Sequence, residues 1–542
     1  MTKKRCKSVT AQGEDGLNKA VNKRITSGAA VLAIGSVVAK MLGALYRVPL
    51  TNILGAEGMG MYQLIFPLYA LFMVLATAGI PTALSRIVAE KRALGEPTKK
   101  YLASAMLVLL AMGTLCALLT FCLAKPLAKW QGNQDTYVGF MIIAPAIILT
   151  GIISGFRGWF QGQMYMLPTA VSNVLEQVVK LSLGIGLSIA FMPKGLIYGV
   201  SGAVLGVTAS EAVTVVYMLI THLVRGRKDE KEKSRVTTGD ARAMFKVAFP
   251  IAIVAILMPL SNFFDSVIVV NMLKIFGHTQ SVATARYGIF SGPVNSLINM
   301  PIVAIMSLAV AIVPSVSASR VRLDIDSVML KSKLCVKLAY LLGVPFAFYF
   351  AVFAENIIRL IYPALSLENL AVAVNLLRIT SANVVLLAVM QIYVSLLQAL
   401  DKTKYAVLSL VCAICVKIVL SLVLVRYIGI NGVGIASLSM SAVALAGVNV
   451  AYFKTCGMHL EKNVGLNLLS GVIMALSAMV ATLLKNDLIT LVVGAIICAV
   501  VYVWTVFLFG LISKDDIPYL PLKRLLGALH RVIRFWEYKN ET

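Results

Sequence analysis

Apolar runs of about 20 residues, each long enough to cross a hydrocarbon core of roughly 30 Å as a helix, recur along almost the whole chain. They constrain the fold more than any other feature. The composition agrees, since 59% of the 542 residues are hydrophobic and 13% are charged, whereas soluble domains carry about 25% charged residues. The sequence therefore predicts an all-α polytopic membrane protein.

Fourteen such runs can be counted, and each is predicted to form one transmembrane helix. Their approximate centres are Val37, Leu75, Ala111, Ala146, Leu183, Val207, Leu257, Ile305, Gly343, Leu386, Leu420, Ala442, Ala475 and Val500.

Basic residues predict the orientation. An even number of spans places both termini on one side, and the loops of that side hold 36 of the 49 Lys and Arg residues, against 9 in the other loops and 4 inside spans. The positive-inside rule then puts both termini in the cytoplasm and the chain in the cell membrane. The net charge of +25 is explained by this topology and by attraction to anionic membrane lipids, so no nucleic-acid partner is expected.

The first span carries a polar stripe. Ser36, Lys40, Gly43 and Arg47 follow a spacing of i, i+4, i+7 and i+11, which places them on one helix face. A glycine-rich turn follows at residues 55–60, and the next span is interrupted by proline and glycine. Such breaks are tolerated in a membrane only where the backbone meets protein or a water-filled cavity. The pair of spans therefore predicts the wall of a polar cavity.

Other polar and charged side chains lie inside later spans. A charge at a helix centre costs roughly 2.5–3.5 kcal/mol on insertion scales, so such residues face a cavity or pair with one another. The candidate substrate-binding residues are Lys40, Arg47, Lys180, Arg378, Lys417 and Asn295. The candidate ion-coupling residues are Asp265 and Glu211, with membrane potential, Na⁺ or H⁺ as the driving force.

Each of these residues has a plain structural alternative. Lys180 could form an internal pair with Glu176 or Glu211, and Asp265 or Glu211 could serve packing alone. The asparagine stripe around Asn295 could hold helices together instead of binding a ligand.

An internal repeat organises the spans. A shift of 237 positions pairs Gln161 with Gln398 and Lys180 with Lys417, each at the same place in a turn-then-helix unit. Because a six-span unit contains an even number of spans, the copies have the same orientation. The sequence therefore predicts two parallel six-helix repeats plus two C-terminal helices.

The predicted domains are a basic N-terminus at 1–24, an N-lobe at 25–224, a charged linker at 225–246, a C-lobe at 247–456, two further spans at 457–512 and an amphipathic cytoplasmic tail at 513–542.

No catalytic or metal-binding constellation can be assembled. Cys412 and Cys415 form a C-x-x-C, but it lies inside an apolar helix without a second pair or a nearby histidine. The sequence predicts a protein that is not an enzyme and that has no cofactor and no metal. The oligomeric state stays open.

Short motifs resemble those of the multidrug/oligosaccharidyl-lipid/polysaccharide exporter superfamily. The likeness is strongest to its polysaccharide biosynthesis and stage V sporulation protein B branch, which is related to the lipid II flippases. The motifs are the run from Lys40 to Arg47, Leu54-Gly55-Ala56, the segment from Ala78 to Pro81, the segment from Ser85 to Glu90, Phe160-Gln-Gly-Gln163 with Pro168 and Glu176-Gln177, and Gln398.

The resemblance implies two six-helix lobes in a V around a central cavity, with a groove for a lipid tail at the last two helices. Lys40 and Arg47 match basic positions on the first helix of the lipid II flippases. It implies a flippase that moves a polyprenyl-linked glycan or peptidoglycan precursor by alternating access. Residues 72–77 are uncharged where those flippases carry arginine, so the resemblance does not extend to the identity of the cargo.

Two alternatives stay open. A cation-coupled multidrug exporter has the same architecture, but an acidic cavity is expected there, whereas the mid-span residues at 40, 180, 378 and 417 are basic. A membrane glycosyltransferase predicts a large outer loop with catalytic acids.

Overall fold

The computed structural model describes residues 2–77, 79–225, 238–457 and 463–512. All regular secondary structure in these ranges is helical, as expected where water is absent and every backbone group must be satisfied within its own helix. The described helices are α1 Thr2–Thr77, α2 Ile80–Ala93, α3 Lys99–Cys122, α4 Ala124–Trp130, α5 Tyr137–Gly162, α6 Leu167–Phe191, α7 Leu196–Arg225, α8 Thr238–Ile275, α9 Gln280–Ile289, α10 Asn295–Val321, α11 Ile325–Ile361, α12 Leu367–Thr380, α13 Asn383–Ala399, α14 Thr403–Ile428, α15 Ile430–Cys456, α16 Val464–Ala478 and α17 Asp487–Leu508.

The all-α membrane fold is confirmed, with a difference in how the spans are counted. Within the described residues, 12 helices are long and apolar enough to cross a membrane, or 13 when the bent pair α12 and α13 is one span. All fourteen predicted centres lie in these elements, because the first two share one helical run, Val31–Ala93. This run bends at Gly55, whose φ of 66° is a left-handed conformation that glycine adopts at no steric cost.

The described chain forms two compact units. Unit 1 contains residues 1–43, 68–127 and 137–259, and unit 2 contains residues 44–67, 128–136 and 260–542. The unit limits thus divide α1, α4 and α8, which no sequence pattern indicated. The six-span lobes at 25–224 and 247–456 stay a prediction.

Unit 1 has an aromatic core. Phe156, Trp159 and Phe160 of α5 are buried against Leu84 of α2 and Leu109 of α3. In unit 2, Tyr393 of α13 and Tyr452 of α15 stack edge to face with ring centroids 5.7 Å apart. Aromatic pairs of this geometry add about 0.5–1.5 kcal/mol beyond their buried area.

Two turns at repeat-matched positions have the same backbone conformation. Met164 and Asp401, which lie 237 positions apart, both have left-handed conformations with φ of 59° and 52°. In each turn this residue's N–H donates to the carbonyl three residues earlier, at 3.0 and 3.1 Å, and the next N–H donates to the carbonyl five residues earlier, at 2.9 and 2.8 Å. The same pair of hydrogen bonds also closes the turn at Leu323, which has no part in the repeat match, so the pattern is a common helix end and the parallel repeat stays a prediction.

An arginine caps each of these turns. The Arg92 guanidinium donates to the Gln163 carbonyl at 2.6 Å, and the Arg320 guanidinium donates to the Ala399 carbonyl at 3.3 Å. Both carbonyls lie at the C-terminal end of a helix, α5 in the first half and α13 in the second. A cation there offsets the negative end of the helix dipole.

Gly60 allows two helical segments of unit 2 to approach closely. A Cβ at this position would lie 2.0 Å from the Thr284 carbonyl oxygen, which is backbone and cannot rotate away. Gly60→Ala is therefore expected to lower the free energy of unfolding by about 1–3 kcal/mol or more, the range for overpacking. Thermal unfolding in detergent measures this change. Gly186→Ala is the matched control, because a Cβ at position 186 in α6 would meet nothing within 4 Å. Equal stability of the two variants would contradict the prediction.

Some predictions fall outside the described residues. These are the amphipathic tail at 513–542, residues 226–237 of the charged linker and the side chains of the basic N-terminus. The orientation of the termini, the attraction to anionic lipids and the oligomeric state stay predictions.

Candidate functional site

A polar cavity of about 370 Å³ lies within unit 1. It lies between residues of α1, α5 and α6, all of them inside helices that can span a membrane. The lining residues are Ser36, Ala39, Lys40, Gly43, Arg157, Asn173, Glu176 and Gln177. Three members of the predicted stripe, Ser36, Lys40 and Gly43, thus line a polar cavity together with residues of α5 and α6, whereas Arg47 does not line it.

Arg157 is the centre of a hydrogen-bonded network in this cavity. Its Nε donates to Ser172 Oγ at 3.0 Å and its Nη2 donates to Glu176 Oε2 at 2.9 Å. Gln177 Nε2 donates to the other Glu176 oxygen at 2.9 Å. Both partners of the ion pair are about one fifth exposed, at 20% and 18%, so the pair is reachable from the cavity.

Lys40 differs from Arg157 in having no acidic partner among the residues whose side chains the structure describes. Its side chain is exposed and lines the cavity one helical turn from Ser36, whose Oγ accepts from Asn173 Nδ2 at 3.4 Å. Among the residues whose side chains are described, no carboxylate oxygen lies within 4.0 Å of the Lys40 amine. The cavity therefore offers a cation to a ligand.

Glu211 of α7 is buried behind this cavity, with 5% of its surface exposed. The Tyr69 hydroxyl donates to its Oε1 at 3.4 Å and also lies 3.1 Å from Thr150 Oγ1. Its Oε2 has no hydrogen-bond partner in the described part of the chain. Glu211 is thus a carboxyl group in a membrane span without a salt bridge among the described residues.

Arg47 lies two turns beyond Lys40 on α1, in unit 2. Its Nη1 donates to Ser296 Oγ at 3.2 Å. Tyr62, Tyr287 and Tyr362 are near enough to act electrostatically on the guanidinium. Burial raises the pKa of Tyr362 above its ordinary value, so this phenol stays neutral beside the arginine.

A π-helical turn at residues 290–294 precedes Ser296 and contains Pro293. Such turns interrupt the regular ladder and leave carbonyls for other donors. Gln63 Nε2 donates to the Ser291 carbonyl at 2.8 Å. Asn295 follows the turn, is half-buried, and its carbonyl accepts from Asn299 Nδ2 at 2.7 Å. The predicted polar stripe is therefore an irregular helix junction next to Arg47.

Asp265 and Lys417 form an ion pair inside unit 2. Lys417 Nζ lies 2.5 Å from Asp265 Oδ2 and 3.5 Å from Ser261 Oγ. Both side chains are buried, with 7% of Lys417 and 10% of Asp265 exposed. The structure thus joins a candidate coupling residue to a candidate substrate-binding residue 152 positions away.

The remaining candidates are placed separately. Arg378 is half-exposed and its Nη2 lies 4.0 Å from Glu355, whose other oxygen accepts from Arg359 at 2.6 Å. Lys180 does not line the cavity, although it acts electrostatically on Glu211. Glu176, one of the partners considered for Lys180, forms an ion pair with Arg157.

Arg157 is the site residue that sequence reasoning missed. It is not among the predicted site residues, and it lies inside α5, which continues to Gly162. A signal was available, since Arg157 and Glu176 flank one short turn and can approach each other when both helices continue to it.

The chain matches known proteins over most of its length. Residues 25–320 match the family described as polysaccharide biosynthesis protein. Stage V sporulation protein B of Bacillus subtilis strain 168 is 28% identical over 62% of this chain, and the match spans 66% of that protein, slightly less than two thirds of its length. The lipid II flippase MurJ of the same organism is 24% identical over 77% of this chain and 80% of its own.

A solved structure supports the fold. The structure described as lipid II flippase MurJ in an inward closed conformation superposes with a TM-score of 0.70 and 14% identity, covering 89% of this chain and 98% of that one. At this identity the likeness concerns the fold alone.

Proposed function

This chain belongs to the polysaccharide biosynthesis protein family, and from that premise we propose that it is a flippase for a polyprenyl-pyrophosphate-linked glycan or peptidoglycan precursor. The name of one relative, lipid II flippase MurJ, supports the transport class. The cytoplasmic membrane is the proposed location. No catalytic step is needed, because the cargo changes leaflet without a change in its bonds.

The physical problem is a headgroup with two phosphates and sugars, which cannot cross hydrocarbon unaided. Isolated charges lose several kcal/mol or more when they leave water, unless they are paired and hydrogen-bonded. A flippase therefore needs a polar cavity with cations inside the membrane, while the polyprenyl tail stays in the lipid.

The observation that carries the proposal is the cavity in unit 1. It combines Lys40, which has no ion pair within the described part of the chain, with the Arg157–Glu176 pair and with amide groups from Asn173 and Gln177. We assign Lys40 and Arg157 to the phosphates, because charge-assisted bonds to phosphate are the strong ones and arginine adds a bidentate fork. The amides suit sugar hydroxyls, which both donate and accept.

The other candidates take narrower roles in this proposal. Arg47 is a second proposed phosphate contact. Its guanidinium donates to Ser296, which comes directly after Asn295 at the helix junction. Lys417 is buried against Asp265 and enters only when that pair opens. Lys180 and Arg378 stay proposed substrate-binding residues, although neither lines the unit 1 cavity.

Native mass spectrometry of the purified protein with co-extracted lipids tests the cargo class. We expect a bound polyprenyl-pyrophosphoryl sugar, because the cavity offers cations and amides together. Another multi-pass protein purified from the same cells is the control for adventitious lipid. In proteoliposomes, the same lipid should change leaflet only when the protein is present.

Two results would contradict the proposal. Bound phospholipids alone, with no movement of a polyprenyl-linked sugar, would remove its basis. Export of cationic dyes by the same proteoliposomes would favour the multidrug exporter of the alternative interpretation.

A further inference from the structure

We infer that Glu211 is a proton-binding site linked to anion binding in the unit 1 cavity, so that a proton on Glu211 and a phosphate headgroup at Arg157 favour one another. The inference rests on the proposed function for the identity of the anion. It names Glu211 as the group that binds a proton, and it gives the sign of the coupling between proton binding and anion binding.

The first step is the state of the carboxyl group. Glu211 is 5% exposed in a helix that can span a membrane, and one of its oxygens has no hydrogen-bond partner among the described residues. A buried carboxylate is stabilised by cations or by several donors, and here a single hydroxyl at 3.4 Å is the donor. A proton on Oε2 removes a buried charge that has no ion pair within 4.0 Å among the described residues.

The second step is the surroundings. The groups that act on Glu211 are Tyr69 from α1, Arg157 from α5, and Glu176 and Lys180 from α6. Arg157 and Glu176 also line the cavity. The carboxyl group and a ligand in the cavity therefore share the same two charged neighbours.

The third step fixes the sign. In the described structure the Arg157 charge is compensated by Glu176 at 2.9 Å. A phosphate that binds Arg157 adds negative charge, which strengthens proton binding at Glu211. By reciprocity, a proton on Glu211 removes a negative charge near the cavity and strengthens phosphate binding by the same factor. Cargo release and proton release are then coupled.

The experiment measures binding of a short-chain polyprenyl-pyrophosphoryl N-acetylglucosamine to purified protein across about pH 5 to 9, the range over which buried carboxyl groups titrate. Its two phosphate diesters keep their charge throughout. We expect the affinity of the unmodified protein to rise by about fivefold or more toward low pH, the lower end of typical coupling between sites. Glu211→Gln should bind tightly at every pH, because glutamine mimics the protonated carboxyl group.

Glu176→Gln is the comparison variant, since it removes a charge that acts on both the cavity and Glu211 but leaves the Glu211 carboxyl group in place. It should keep the pH dependence even if its affinity changes. Infrared difference spectra provide a readout without ligand. The carbonyl stretch of a protonated carboxyl group should be lost in Glu211→Gln and retained in Glu176→Gln.

Each outcome is decisive. A pH dependence that persists in Glu211→Gln would overturn the linkage while leaving the flippase proposal intact. An infrared band unchanged by Glu211→Gln would overturn the proton site itself. Absence of probe binding by the unmodified protein at every pH would contradict the proposed cargo and the linkage, and the infrared band would then still decide whether Glu211 holds a proton.

Discussion

Lys417→Met is expected to lower the free energy of unfolding by about 3–5 kcal/mol, because it leaves Asp265 as an uncompensated buried charge. Both partners are buried in unit 2 and lie 2.5 Å apart. Asp265→Leu should be destabilising for the reciprocal reason. The double variant should recover most of the stability, since a buried ion pair replaced by apolar residues of similar volume is often neutral.

Thermal unfolding of the three variants in detergent, with membrane levels checked by immunoblot, measures this cycle. Equal stability of Lys417→Met and the unmodified protein would contradict the prediction. The double variant also tests the coupling role expected for Asp265. If it is stable and transports normally, the pair is structural, whereas a stable double variant without transport assigns the pair to coupling.

Lys40→Glu is expected to abolish transport while leaving folding intact. Neutralising a cation that binds phosphate costs about 1.5–3 kcal/mol, the range for hydrogen bonds to charged groups, so Lys40→Ala should bind the cargo about 10-fold to 150-fold more weakly. Reversal adds repulsion to this loss. Folding is spared because Lys40 is exposed in the cavity and has no ion-pair partner among the described residues.

Binding of a polyprenyl-pyrophosphoryl sugar and leaflet exchange in proteoliposomes measure the effect. Lys40→Arg should retain both activities, because it keeps the charge. Lys125→Glu is the matched control for reversal, since Lys125 is exposed and does not line this cavity. Normal transport by Lys40→Glu would contradict the cationic-cavity mechanism.

The fold could be predicted because its signal is local. Each span is recognised from about 20 consecutive apolar residues, without knowledge of the helices that pack against it. The break between the first two predicted spans could be predicted as well, because the backbone is not helical at Gly55, within the glycine-rich turn at residues 55–60. What could not be predicted is how far a helix extends, as at α5, which continues to Gly162.

The site was predictable on one helix and not across helices. Spacing placed Ser36, Lys40 and Gly43 together, and they do line one cavity. The pairing of Asp265 with Lys417 depends on which helices pack against each other. The two residues are 152 positions apart, and the sequence does not indicate that their helices are neighbours. Two opposite charges, each without a partner on its own helix, were nevertheless the available signal.

Arg157 shows a different limit. Its role depends on α5 continuing to Gly162, and the ends of predicted elements are their least certain part. Once the residue is assigned to a helix, its bond to Glu176 follows from the short connection between α5 and α6.

The turns at Met164 and Asp401 each place an arginine from another helix on a carbonyl at a helix end. Arg92 and Arg320 are 228 positions apart, whereas the two turns are 237 positions apart, so the two contacts agree in chemistry and not in position. Lys180 and Lys417 are 237 positions apart, and only Lys417 has a described ion pair with a buried carboxylate. The effect of a substitution at one of two matched positions is therefore a poor guide to the effect at the other.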